Sequence, residues 1–90
     1  MTDITVEFPG YPVDTLPAIP AGFVATHWHN DACPSWQRGN LRLFVDYPDP
    51  DAREIDAPRF SLQRDDDDGV TVILDSDDWS AILDAIAKEG

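Results

Sequence analysis

"RFSLQRDDDDGVTVILD", residues 59–75, decides the fold. Two runs with alternating apolar residues flank four aspartates that end at Gly69. Asp-Gly between such runs is a strong hairpin signal, because Gly accepts positive φ and Asp tolerates it. The second run leads directly into "DSDDWSAILDAIAKEG", residues 75–90. Trp79, Ile82, Leu83 and Ile86 follow the i, i+3, i+4, i+7 rule there, which predicts a helix over 76–89 with one apolar stripe. Asp75 or Ser76 is placed to cap its start, and Asp77 and Asp78 sit at the positive end of its dipole. A sheet with one apolar face needs a cover, and this stripe supplies one. The expected class is therefore α+β: a small two-layer domain, an antiparallel sheet of about five strands on one C-terminal amphipathic helix.

The upstream chain fits that plan as a single domain over residues 1–90. "DITVEF" alternates, with Ile4, Val6 and Phe8 on one face, and reads as a strand. From 9 to 22 the chain holds Pro9, Pro12, Pro17 and Pro20, half of its eight prolines. That spacing suits neither helix nor central strand and predicts an extended arm across the body. "GFVATHWH" and "NLRLFVDY" read as further strands, the latter with Leu41, Leu43, Val45 and Tyr47 facing one way. Residues 47–58, bracketed by prolines, form a long polar loop. The expected core joins Ile4, Val6, Phe8, Val24, Trp28, Leu41, Leu43, Val45, Phe60, Leu62, Val70, Val72, Leu74, Trp79, Ile82, Leu83 and Ile86, with Trp36.

Charge is the extreme feature. Eighteen acids against six bases give −12 over 90 residues; fifteen of the acids are Asp and five of the bases Arg. Such a surface repels phosphate, so direct nucleic-acid binding and docking on anionic lipid are excluded as primary roles. No run approaches the ~18 apolar residues of a membrane span, and the first residues lack a signal peptide's basic start and apolar middle. One cysteine cannot form an internal disulfide, so a cytoplasmic setting is expected.

"ATHWHNDACPSW", residues 25–36, places His27, His29, Asp31 and Cys33 at every second position. "THWHNDA" resembles the H-x-H-x-D-H motif of metallo-β-lactamase-like hydrolases through His27, His29 and Asp31. The resemblance implies a metal-dependent hydrolase in which those side chains hold metal. It covers seven residues, and Ala32 stands where the motif has its last histidine. The residues themselves read differently. Asn30-Asp31 suits a tight turn, which pairs His29 with Ala32 and Trp28 with Cys33. That leaves His27 and His29 as a pair on the solvent face, half of a structural zinc site. Cys33 reads as a small buried filler. "RDDDDGV" is no EF-hand, since Arg64 would occupy the first ligand position and no helix flanks the loop. No nucleophile elbow or phosphate-binding glycine loop exists, and no cofactor is implied.

The acids are therefore the binding candidates: Asp65, Asp66, Asp67 and Asp68 at a hairpin tip, Asp75, Asp77 and Asp78 at the junction, and Asp46, Asp49 and Asp51 near the long loop. Strand spacing sets carboxylates at intervals close to those between phosphates of a nucleic-acid strand. The expected function is a small acidic non-enzymatic binding protein, its partner a basic protein surface such as a nucleic-acid-binding cleft. It resembles DNA-mimic inhibitors of the anti-restriction and anti-CRISPR kind in property, with no shared motif. The alternative is an antitoxin-, immunity- or adaptor-like interaction domain using Trp28, Trp36, Phe44 or the arm as contacts; a second alternative is a metal-binding protein or hydrolase acting through His27 and His29. Genome composition or a salt-rich cytoplasm would yield the same acidity.

Overall fold

The computed structural model describes residues 4–27, 33–54 and 56–89. The chain passes through a one-turn helix α1 (Ile4–Glu7) and short strands β1 (Val24–Ala25) and β2 (Ser35–Arg38). It continues through β3 (Leu41–Val45), β4 (Phe60–Asp66), β5 (Gly69–Ser76) and the C-terminal helix α2 (Trp79–Glu89). The five strands form one antiparallel sheet in sequence order. The sheet and α2 make the two-layer α+β fold that the periodicities predict.

Register aligns the core. Trp36, Leu43, Leu62 and Leu74 oppose one another across β2 to β5, a continuous apolar row on the inner face. Leu43, Leu62, Val45 and Ile82 are wholly buried, and each such side chain contributes about 2 kcal/mol of transfer free energy. Helix α2 lies against β4 and β5. It buries Ile82 and Ile86 and sets the Trp79 ring 5.0 Å from Phe60. The N-terminal segment completes the cover, contributing Ile4, Leu16, Ile19 and Phe23 to the same core.

Several local expectations give way to tertiary context. Residues 4–7 form a helical turn rather than a strand, closed by Phe8 N–H donating to the Ile4 carbonyl at 2.8 Å. Ile4 and Phe8 also satisfy helical i, i+4 spacing, so one turn directs both inward and leaves Val6 70% exposed. Val24 lies on the outer face of the edge strand and is 65% exposed. In β5 the period slips. Leu62 pairs with Leu74 but Gln63 with Val72, so Ile73 is the extra residue of a β-bulge. Leu74 therefore faces the core while Val70 and Val72 face outward, 62% and 53% exposed. Leu83 is likewise at the rim of the helix stripe, where Ala85 packs in its place.

The segment between Phe8 and Phe23 includes a short 3-10 turn at Val13–Thr15 and the buried ring of Tyr11. Helix α2 starts at Trp79, three residues later than its periodicity suggests. Asp78 is the cap, its Oδ1 accepting from the Ser80 N–H at 3.0 Å and the Ser80 hydroxyl at 2.7 Å. Ser76 supports the turn before it, accepting from the Asp78 N–H at 3.0 Å.

Candidate binding surface

The antiparallel register sorts the acids into two groups at opposite ends of the sheet. Val45, Phe60 and Ser76 lie side by side at one end, so the 46–59 loop and residues 75–78 share that pole. Asp65 to Asp68 occupy the other, next to the 39–40 turn, where Asn40 Nδ2 donates to Asp66 Oδ1 at 3.1 Å. The seven residues of β4 separate the poles by about 20 Å.

At the far pole Asp65 and Asp66 end β4, and Asp67 and Asp68 form the turn. Among the described residues no non-glycine residue has positive φ; Gly69 alone absorbs the turn's twist, at φ 125°. All four aspartates are exposed. Among the described residues no cation lies within ion-pair range of Asp65, Asp67, Asp68 or Asp75. Asp75 opposes Ser61 on the outer face, where Val70 and Val72 also lie.

The near pole is more structured. Asp49 and Asp51 are exposed on a short 3-10 turn, Pro50–Ala52, which Asp49 caps by accepting from the Asp51 N–H at 3.0 Å. Asp77 accepts from the Arg59 N–H at 2.8 Å, and its Oδ1 lies 3.8 Å from the Arg53 guanidinium. Hydrogen bonds from the Ser80 hydroxyl and N–H hold the Asp78 carboxyl below its ordinary range. Asp46 does not belong to the outward set. It is 6% exposed, accepts from the Tyr47 N–H at 2.8 Å, and burial raises its pKa against that hydrogen bond.

Sequence reasoning missed the role of the arginines. Arg53 is nearly buried and donates to the carbonyls of Tyr47, Ala57 and Pro48 at 2.7, 2.9 and 3.2 Å, pinning the loop to itself. Arg59 donates to the Asp46 carbonyl at 2.9 Å, to Thr15 Oγ1 at 3.0 Å and to the Tyr11 hydroxyl at 3.3 Å. That hydroxyl in turn donates toward the carbonyls of Asp46 and Val45, at 3.0 and 3.2 Å. Burial raises the Tyr11 pKa, with Arg59 opposing. Arg38 lies over Phe23, and Arg42 over Phe44. Arg64 pairs with Glu89 of α2. The only legible signal was arithmetic: few cations, nearly all Arg, the residue whose planar fork suits carbonyls and ring faces.

The ligand-rich stretch is only partly described. His29 and Asp31, with Trp28, lie outside the described residues. Val24 pairs with Gln37 and Ala25 with Trp36, and the predicted turn at Asn30-Asp31 lies outside the described residues. His27 is buried rather than solvent-facing. Its Nδ1 accepts from the Ser35 N–H at 3.3 Å and its ring meets Trp36 edge-on at 4.8 Å. Cys33 is a buried thiol. Among the described residues no three His, Cys, Asp or Glu side chains gather as a metal site. Trp36 is buried in the core, while Phe44 is half-covered, with the Arg42 guanidinium of its own strand over its ring.

Comparison with protein-family models, curated proteins and solved structures finds no match. Among the described residues no helix is long and apolar enough to cross a membrane.

Proposed function

We propose that this is a non-enzymatic binding protein that holds a basic surface of a partner protein, its aspartates standing where a nucleic-acid ligand would present phosphates. One observation carries the reading: Asp65, Asp67, Asp68 and Asp75 are exposed with no cation in range among the described residues, while Arg53 and Arg59 serve mainly backbone carbonyls and hydroxyls. Six bases against eighteen acids leave the field negative in any arrangement, and Arg53 and Arg59 engage carbonyls and hydroxyls rather than the exposed hairpin acids. Short Asp stems on a paired hairpin lose little rotamer freedom on contact, which suits a fixed array of negative points.

The test is capture of partners from the native host at roughly 0.05 M and 0.5 M salt, using the wild type and a variant with Asp65–Asp68 changed to Asn. The expected partner is a basic nucleic-acid-binding protein, held at low salt only, displaced by a DNA oligonucleotide and lost with the variant. Equal capture by the variant, or capture indifferent to salt, would overturn the reading. A second reading rests on a different observation. Val24, Val70 and Val72 expose apolar surface on the outer sheet face, and an adaptor-like contact there would survive high salt.

A further inference from the structure

Among the described residues strand β5 is the edge of the sheet, with β4 as its one neighbour. It is eight residues long, and its centre, Val70 to Leu74, carries no charge and no proline. Natural proteins guard such edges with charge, proline, a β-bulge or a cover, because unpaired N–H and C=O groups template a further strand. Here the acids stand at the two ends of the strand, the bulge at Ile73 is the one irregularity of its middle, and among the described residues no strand pairs with its outer side.

A groove of about 410 Å³ runs beside this edge, between β5 and α2. Ile73 and Leu74 form its strand wall, Ala81 and Ala85 the apolar part of its helix wall, and Asp84, Lys88 and Glu89 its charged rim. The two alanines are one turn apart, so methyl groups stand where longer side chains would have filled the gap. The β-bulge at Ile73 falls opposite them.

We propose that β5 accepts an extended segment of the basic partner as a sixth strand. The groove would take its apolar side chains, and its ends would reach the two acidic poles. This rests on the reading above and adds the mode of contact. Strand addition supplies affinity through main-chain hydrogen bonds and specificity through pockets for alternate side chains. The charge pattern sets the occupant's chemistry. Asp67 and Asp68 lie beyond the start of β5, and Asp77 and Asp78 beyond its end. A segment spanning it should therefore carry Lys or Arg at both ends and small β-branched residues between. A second copy of this chain fits badly. Pairing two β5 edges in either direction sets acidic pole against acidic pole, on molecules of charge −12 each.

The probe is a nonapeptide that begins Lys-Arg, alternates Val and Thr through its centre and ends Arg-Lys. Two analogues carry backbone N-methyl groups, one on the Val nitrogens and one on the Thr nitrogens. Successive N–H groups of a strand point to opposite edges, so only one analogue is blocked on the side that meets β5. On the full chain, the parent peptide should slow hydrogen exchange at the Val70–Leu74 amides and shift the methyl resonances of Ile73, Ala81 and Ala85. One analogue should bind about tenfold weaker or worse, and the other like the parent.

If both analogues bind like the parent and shifts stay at Asp65–Asp68, contact is by charge alone: the sixth strand is refuted and the acidic-surface reading stands. If the peptide fails to bind at low salt while host capture remains salt-sensitive, the edge is again refuted and the reading kept. If both binding and capture fail, neither survives. Protection of β5 without peptide, growing with protein concentration, would make a second copy the occupant and overturn the proposal.

Discussion

The near pole and the far pole of the sheet treat charge in opposite ways. At the near pole, Arg53, Arg59, Tyr11 and Asp46 form a half-buried polar clasp in which guanidinium groups satisfy carbonyls that a long loop would leave bare. At the far pole, four consecutive aspartates project from a hairpin with Asn40 as their neutral neighbour. The first is charge used to build structure. The second is charge kept off the structure, where it costs little in water and acts on whatever approaches. The difference teaches that net charge alone says little about a surface; what matters is which sign the fold consumes.

Arg53→Ala should break the contrast most. It strips donors from three loop carbonyls, and an expected loss of about 2–4 kcal/mol in urea unfolding follows from leaving such groups unpaired. A loss below about 0.5 kcal/mol would mean that the loop holds itself. Tyr11→Phe removes the hydroxyl that joins the N-terminal segment to the Asp46 carbonyl and to Arg59. About 1–2 kcal/mol is expected, with faster hydrogen exchange in residues 9–22 as the specific sign.

Asp78→Ala should lower the melting temperature by a few degrees through loss of the α2 cap. Its sign with pH is fixed by the depressed pKa. The cap's contribution is complete above the ordinary carboxyl value of 3.8 and disappears as pH falls through the lower folded value. A stability difference from wild type that persists at the lowest pH would contradict it. Asp46→Asn is the mirror case. Burial raises the Asp46 pKa, so the folded state holds this proton more tightly and ionisation at neutral pH costs stability. An amide oxygen can still accept from Tyr47, so the variant should be neutral to slightly more stable at pH 7. The gain should shrink as pH falls through the raised folded value and be gone below 3.8. The smallest stability effect belongs to the far pole. Changing Asp65–Asp68 to Asn should raise the melting temperature slightly at low salt, by relief of like-charge repulsion, and not at all at high salt. A large loss would show that these acids hold the hairpin together.

How far the sequence could be read follows the range of the forces involved. Period-2 runs in 41–45 and 60–62 put Leu41, Leu43, Val45, Phe60 and Leu62 inside because each strand is paired on both edges and pleats regularly. The same rule failed at Val70 and Val72, since one bulged residue inverts every side chain before it and no local residue type announces the bulge. It failed again at Ile4 to Phe8, where a segment of five residues satisfies helix and strand spacing at once. In the candidate surface, Asp65–Asp68 and Asp75 were legible as exposed acids. Asp46 was not, because its burial depends on Tyr11 and Arg59, which lie 35 and 13 residues away.

By itself, then, the sequence determined the two layers, the β4–β5 hairpin, the C-terminal helix and the sign of the field, all consequences of local periodicity, turn chemistry and composition. Tertiary structure alone decided which charges the fold absorbs, where the strand phase slips and that, among the described residues, the last strand is paired on one side. Those outcomes depend on contacts between residues far apart in the chain, and short-range pattern carries no record of them.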